Sequence, residues 1–326
     1  MTALRWGILG TGGIARLFTA DLNTAGLTVA AVGSRTQASA DAFAAEFGIP
    51  AAHGSYEALA ADPDVDVIYI STPHPFHAEG AALALEHGKH VLVEKPFTLN
   101  AEEAERVVAI AARKGLVVLE AMWTRWLPHM VRVRELIASG LLGDVRTLIA
   151  DHTQKLPADA AHRIQSPELG GGALLDLGIY PVSFAWGLFG QPIAVHAISS
   201  PTPTGVDRQT AIILGFEGGR QAVLHTQLDA RGPNTAVILG TEARIEIDAV
   251  WYTPTSFRVI DNANNVLESY TSEVAGRGMQ YQAIALEQMV AAGQTSTDVL
   301  PPAESIGIMA TLDEVRRQIG LRYPSE

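Results

Sequence analysis

Short apolar runs rich in β-branched residues alternate with helical patterns over the first 120 residues: RWGILG, then 13–24, LTVAAVG, 36–47, DVIYIS, 76–87, HVLVE, 100–113 and GLVVLE. A strand period interrupted regularly by a helix period predicts right-handed βαβ units around a parallel sheet. The runs at 66–71 and 89–93 are almost wholly apolar, as strands covered by helices on both faces are. Asn100, followed three residues later by Glu103, has the form of a capping box, which predicts a helix start there.

Beyond residue 120 the pattern changes. A helix is predicted near 128–139, then Gly170, Gly171 and Gly172 precede another from about 173 to 187. Runs such as AVHAIS, QTAIILGF, QAVLHTQL, TAVILG and ARIEID follow, separated by Gly, Pro, Asn or Asp. Strands at such short spacing predict a large, mostly antiparallel, open-faced sheet. Two helices, near 279–292 and 303–318, close the chain, and GRGM at 276–279 is either a loop or a helix lead-in. A chain of 326 residues exceeds the size at which single cores stop growing. The expected class is α/β plus α+β: a doubly wound, dinucleotide-binding Rossmann domain over 1–122, and a substrate-binding and oligomerisation domain over 123–326.

Composition narrows the function classes. Hydrophobic residues make up 48% and charged residues 18%, which is globular usage, and no apolar run is read as approaching the roughly 18 residues of a membrane span. Met1 leads almost directly into LRWGILG, leaving no room for a signal peptide, so a cytoplasmic location is expected. Absent cysteine excludes disulfides, thiolate metal sites and a cysteine nucleophile. A net charge of −12 disfavours nucleic acid, because phosphate binding needs clustered basic charge.

Gly10-Thr11-Gly12-Gly13-Ile14-Ala15 follows a predicted strand and opens a predicted helix, the context in which a glycine fingerprint binds a pyrophosphate. Gly10 permits the turn, Gly12 admits the phosphates, and the N–H groups from Gly13 and Ile14 onward face them. About 20 residues on, NAD-binding folds place a carboxylate on the adenosine ribose. Here Gly33-Ser34-Arg35 stands instead, so a hydroxyl and a guanidinium favour the 2′-phosphate of NADP over NAD. Ser71, Thr72, Pro73 and His77 form a turn at the carboxyl end of the third long strand, and Glu94, Lys95 and Pro96 form one at the end of the next. Ligands bind at that edge in such sheets, so these residues complete the expected cofactor set. His74 and His77 have a metal-like spacing, but no carboxylate or cysteine completes a set, and no metal is expected.

The early glycine turn, the T-P-x-x-x-H turn and Glu-Lys-Pro together resemble the family of glucose-fructose oxidoreductases and inositol dehydrogenases. Within it the chain is most similar to the dimeric dihydrodiol dehydrogenases, also described as NADP-dependent D-xylose 1-dehydrogenases. The stretches LRWGIL, GSYEALAADPDVDVIYI, EAMWTR, GGGALLDLGIYPV and GRGMQYQA carry this resemblance, which runs nearly end to end. It implies that Lys95 hydrogen-bonds the reacting oxygen, Tyr180 donates or accepts the proton, and Asp176 orients the pair. It also implies a cis peptide before Pro96, and a substrate pocket that includes Trp123, Arg125 and position 152. His152 departs from the aromatic residue of that group, and many relatives have histidine where Tyr180 stands. A homodimer or homotetramer joined through the open sheet is implied as well.

The chemistry has its own argument. Removing hydride from a carbinol leaves an oxygen that must lose a proton, so a positioned acid–base group is required. Asp176 and Tyr180 are spaced to share one helix face, and an ammonium such as Lys95 would stabilise negative charge on the oxygen. The plain alternative has Asp176 capping the helix with Tyr180 packed beneath. The expected activity is that of an NADP-dependent dehydrogenase acting on a CH–OH group of a sugar, polyol or trans-dihydrodiol. Competing readings are an NADPH-dependent reductase of a 1,5-anhydrofructose-type keto sugar and a non-catalytic dinucleotide-sensing regulator, against which Lys95, Asp176 and Tyr180 together argue.

Overall fold

The computed structural model describes residues 4–326. The alternation at the start of the chain becomes β1 (Arg5–Leu9), α1 (Gly13–Thr24), β2 (Thr28–Gly33), α2 (Gln37–Phe47), β3 (Ala51–His53), α3 (Tyr56–Ala60), β4 (Val67–Ile70), α4 (His77–Glu86), β5 (His90–Glu94), α5 (Ala101–Lys114) and β6 (Val118–Ala121). The strands form one parallel sheet in the order β3-β2-β1-β4-β5-β6. This order reverses between β1 and β4, and a doubly wound sheet binds ligands beyond its carboxyl ends at such a switch. β4 and residues 91–93 of β5 are fully buried, as their unbroken apolar runs require. At α5, Asn100 Oδ1 accepts the Glu103 N–H at 3.0 Å, and Glu103 Oε2 accepts the Leu99 N–H at 3.0 Å. The short β3 and α3 had no periodicity long enough to announce them.

The chain continues through α6 (Pro128–Ala138), β7 (Val145–Thr153), a π turn (Leu174–Gly178) that runs into α7 (Ile179–Phe189), β8 (Ala194–Pro201), β9 (Asp207–Gly215), β10 (Gln221–Gln227), β11 (Ala236–Gly240), β12 (Ala243–Ile247), β13 (Phe257–Asp261), β14 (Val266–Tyr270), α8 (Gln280–Ala291) and α9 (Pro302–Ile319). Its sheet has the order β14-β13-β12-β11-β7-β10-β9-β8. Neighbours are antiparallel except β7 with β10, which run parallel. β7, absent from the predicted strands, lies at the centre of this sheet.

The two faces of the sheet differ. Leu148, Ala150 and His152 of β7, Ile212 and Leu214 of β9, and Ala222, Leu224 and Thr226 of β10 are buried. β7 and β10 pack against the π turn and α7. On the opposite face Ile213, Val223 and Ile149 remain 49%, 43% and 46% exposed. Val223 is the register partner of both others, so they form one apolar row across three strands. Contrary to the expectation from sequence, the helical segment 167–189 contains an 18-residue window long and apolar enough for a membrane span, with a mean hydropathy of 1.3. Its apolarity has a different use, since 83% of that 18-residue window is buried where the segment covers the sheet.

The chain divides at Trp123/Thr124, one residue from the expected 122/123, and a later segment rejoins the first unit, which the expected division does not include. One compact unit comprises the chain up to Trp123 together with Ala275–Ile306, and the other comprises Thr124–Val274 with Gly307–Glu326. Asp21 of α1 explains the return of the later segment: its carboxylate is buried and accepts the N–H groups of Arg277 at 3.0 Å and Met279 at 2.8 Å. The Trp6 indole N–H to Glu287 at 2.9 Å and the Ser305 hydroxyl to Glu120 at 2.7 Å add to this attachment. GRGM is therefore an anchored lead-in to α8.

Candidate active site

At the end of β1 the backbone turns through Gly10, with φ +108°. The Gly10 N–H donates to the Gly33 carbonyl at 2.9 Å, and an added Cβ would lie 2.9 Å from Ser71 Oγ. Glycine there is dictated by the protein itself. Gly12 is different, since its φ is −75° and an added Cβ there or at Gly13 would meet no atom within 4 Å. Neither strain nor packing calls for these glycines, whereas a ligand pressed against the backbone does. α1 begins with no side-chain cap and no acid in its first turn, which leaves its first N–H groups for an anion. Ile14 is half-buried beside them and Ala15 is fully buried.

The neighbouring strand ends also fit a dinucleotide. Ser34 is buried with its Oγ 3.5 Å from Thr11 Oγ1. Arg35 is exposed and forms no ion pair among the described residues. Burial raises the Tyr56 phenol above its ordinary pKa, and the charge of Arg35 opposes that rise. Beyond β4, Ser71 Oγ donates to the Leu9 carbonyl at 2.9 Å, while Pro73 is exposed. Thr72 Oγ1 is buried without a hydrogen-bond partner among the described residues, an orphan that a bound ligand would satisfy.

β5 brings Lys95 to the same edge. Glu94 is buried; the Tyr69 hydroxyl donates a short hydrogen bond to its Oε1, and its Oε2 accepts the Lys95 N–H at 3.1 Å. Phe18 stacks on Tyr69 at 3.9 Å. Glu94 therefore shapes the turn from beneath. The Lys95–Pro96 peptide is cis, and Lys95 is half-buried. His77 is 1% exposed, with Nδ1 2.8 Å from the Pro96 carbonyl and Nε2 2.8 Å from the Thr72 carbonyl. The neutral ring has one N–H, so it donates to one of these carbonyls while its other nitrogen lies against the second, and His77 packs between the two turns instead of meeting the cofactor as expected. Burial pushes its pKa down to about 4, against the pull of the two carbonyls and with a further push from the Lys95 charge.

In the second unit, Asp176 lies within the π turn, 6% exposed, with Oδ1 3.4 Å from Arg163 Nη2. A π turn carries an extra residue and recurs at functional sites. The helix start is capped elsewhere, by Asp207 of β9, whose Oδ2 accepts the Leu174 N–H at 2.8 Å; the capping alternative for Asp176 is thereby set aside. Tyr180 occupies the first turn of α7, with its ring 4.9 Å from His152 and 5.4 Å from Tyr252. His152 stacks on Tyr252 at 3.7 Å, and the Gln154 amide donates to His152 Nε2 at 2.9 Å. Burial, then the neighbouring Tyr180, pushes the Tyr252 phenol up to about 12. Tyr252 therefore remains a neutral wall while Tyr180 carries the candidate acid–base group.

Arg125, expected to bind substrate, is 5% exposed and has another use. Its Nε donates to Ser183 Oγ at 3.1 Å and its Nη2 to the Ser183 carbonyl. A Cβ at Gly187 would come within 2.5 Å of Nη1, so that glycine makes room for the guanidinium. Arg125 fastens α7. Trp123 is buried in the first unit, with the Arg277 guanidinium 5.7 Å above its ring. Sequence reasoning missed Tyr69, Arg163 and Tyr252. The adjacent aromatics Trp251 and Tyr252, in a turn between two strands, were the one available signal for the last.

Two family models match the chain. One, described as an oxidoreductase family with an NAD-binding Rossmann fold, covers residues 4–122, and the other, a GFO/IDH/MocA C-terminal domain, covers 130–246. The chain is 36% identical over 331 residues to a trans-1,2-dihydrobenzene-1,2-diol dehydrogenase of Xenopus laevis, spanning 99% of this chain and 100% of the relative. For the protein of the same name from Mus musculus the identity is 37% over 335 residues, with 99% of each covered. Among solved structures it resembles KijD10, a 3-ketoreductase from Actinomadura kijaniata in complex with NADP and TDP-benzene, with a TM-score of 0.87, 27% identity and 98% of each chain covered. An aldose-aldose oxidoreductase from Caulobacter crescentus shares the fold, with a TM-score of 0.88 at 23% identity over 97% of each chain.

Neutral, buried His77 implies a definite acid sensitivity. His129 of α6 is buried likewise, and burial also lowers its pKa to about 4. Each ring gains a proton on unfolding at any pH between the ordinary 6.5 and about 4, so stability is lost as pH falls through that window. Urea melts at several pH values should show a shallower decline for His77→Gln than for the wild type, with the His129 share remaining. An unchanged slope would refute a neutral His77.

Proposed function

Because this chain belongs to the GFO/IDH/MocA family of oxidoreductases, we propose that it transfers hydride between NADP and a secondary alcohol or hemiacetal carbon of a sugar, polyol or trans-dihydrodiol. The observation that carries this reading is end-to-end similarity to proteins named trans-1,2-dihydrobenzene-1,2-diol dehydrogenases, in a chain that has Lys95, Asp176 and Tyr180. The choice of NADP rests on the end of β2, where Ser34 and an exposed Arg35, with no ion pair among the described residues, stand in place of a carboxylate. That KijD10 was solved with NADP supports the same choice.

A bound nicotinamide supplies or takes up the hydride. In the oxidation Tyr180 takes the carbinol proton as general base, and in the reduction it returns that proton as general acid. Lys95 donates to the reacting oxygen and stabilises the negative charge that develops there. Asp176, itself held by Arg163, orients the acid–base group. His152, buried and stacked on Tyr252, backs an aromatic wall beside Tyr180 against which the apolar side of a cyclic substrate packs.

A second reading, reduction of a keto sugar, is favoured by the similarity to KijD10, which is named a 3-ketoreductase. The same residues serve both directions. Turnover with NADP plus alcohol, compared with NADPH plus ketone, ranks the two. We also place a homodimer or homotetramer interface on the apolar row of Ile213, Val223 and Ile149, because an exposed face of this kind favours a self-complementary contact.

Three outcomes test these roles. On a panel of sugars and diols followed at the NADPH absorbance band, Tyr180→Phe and Lys95→Ala should each lower kcat by about a hundredfold or more; full turnover in both would remove the assigned roles. Arg35→Ala should raise KM for NADP by about tenfold and leave that for NAD nearly unchanged. Equal effects on the two cofactors would place Arg35 away from the 2′-phosphate. Val223→Asp should shift sedimentation toward monomer, and an unchanged assembly would locate the interface elsewhere.

A further inference from the structure

The glycines before the π turn are shaped from outside their own segment. Gly170 and Gly172 have φ of +67° and +113°. A Cβ on Gly171 would lie 2.6 Å from the Ile164 carbonyl oxygen, and one on Gly172 would lie 2.2 Å from Asp207 Oδ1. Asp207 opens β9 and is 3% exposed. Its Oδ2 accepts the Leu174 N–H at 2.8 Å and the Thr210 hydroxyl at 2.9 Å. The Tyr323 hydroxyl, also buried, donates to the Gly171 carbonyl at 2.7 Å. Ala173, at the start of the π turn, has no side chain with which to cap it. A carboxylate from a distant strand does so instead.

A carboxyl group is a costly occupant of this position. Burial raises its pKa to about 6, while the Thr210 hydroxyl and the Leu174 N–H pull it down. Oδ1 has no hydrogen-bond partner among the described residues. An asparagine could accept the same N–H without a buried charge, and neutral replacements of buried ions often stabilise. Folding alone does not account for the acid.

We propose that Asp207 is a positioning residue for the reaction, fixing the Leu174 N–H and the space over Gly172 so that the π turn presents Asp176 and Tyr180 in working register. This rests on the roles assigned above to Asp176 and Tyr180. An anionic group at the start of the helix also complements its dipole, so protonation of Asp207 weakens the cap. Asp207 acts on Tyr323 of the C-terminal tail, which also feels the charges of Arg316 on α9, its partner Glu326, and Asp176 in the π turn. Burial first, then the charge of Asp207, holds the Tyr323 phenol well above its ordinary pKa, so Tyr323 stays a donor to Gly171.

The test is steady-state kinetics of Asp207→Asn and Asp207→Ala beside Tyr180→Phe, with thermal melts of each. Asp207→Asn should melt no lower than wild type at about pH 8, yet lose about tenfold in kcat with KM for NADP unchanged. An acid limb in wild-type kcat with its midpoint at about 6 should flatten in that variant. Asp207→Ala, which lacks any acceptor, should lose more; should it fail to fold, Asp207→Asn alone decides. Wild-type kcat and pH profile in Asp207→Asn would overturn the proposal, as would a loss of kcat matched by a parallel loss of melting temperature. Full turnover in Tyr180→Phe would instead remove the catalytic assignment on which the proposal rests.

Discussion

One backbone hydrogen bond, from the Gly10 N–H to the Gly33 carbonyl, holds the geometry on which the first unit's chemistry depends. It makes β1 and β2 end together, and the Ser71 hydroxyl on the Leu9 carbonyl brings β4 to the same edge. Gly10 has a positive φ and no room for a side chain, so no other residue type supports this convergence without strain. Because the three strand ends are fixed in register, the α1 N-terminus, Ser34, Arg35 and Thr72 are presented on one edge of one sheet. The affinity of that edge for a dinucleotide is a property of the backbone first and of side chains second.

In the second unit the corresponding constraint is the buried face of the eight-stranded sheet. A sheet with one buried face specifies its register strongly, because a slip of one residue turns every side chain over. His152 is thereby held inward on β7, alternating with the exposed Ile149 and half-buried Asp151. The π turn and α7 close over this face, and polar groups set their exact placement: Arg125 holds α7 at Ser183 and Gly187, and Asp207 holds Leu174. An apolar helix on an apolar sheet can slide, whereas a buried charge with directed hydrogen bonds cannot do so without losing them.

Elements whose signals are local were legible in the sequence. The long helices and apolar strands of the first unit follow from periodicity, and the cap at Asn100 was visible as a residue type at a spacing. β7 was not visible, because its strand character comes from partners on both sides, β10 and β11, that lie far along the chain. The return of a late segment to the first unit was not visible for a similar reason. What returns Ala275–Ile306 to the first unit is a carboxylate on α1, Asp21, more than 250 positions from the N–H groups it accepts, and no window along the sequence contains both.

Candidate site residues divide along the same physical line. Glu94, His77 and Arg125 were read as ligand contacts because polar groups at strand ends and in shared motifs suggest chemistry. Each is buried with polar atoms directed at backbone or neighbouring side chains, which is how a fold makes a buried polar group tolerable. Among the described residues Gly12, Gly13, Arg35 and Thr72 show the opposite: open space above a backbone, an exposed charge with no ion pair and a buried hydroxyl with no hydrogen-bond partner. Residue type cannot separate these two groups, since histidine, glutamate and arginine serve either role. Hydrogen-bond satisfaction separates them. The residues that a motif marks are therefore of two kinds, those that await a ligand and those that hold the waiting ones still.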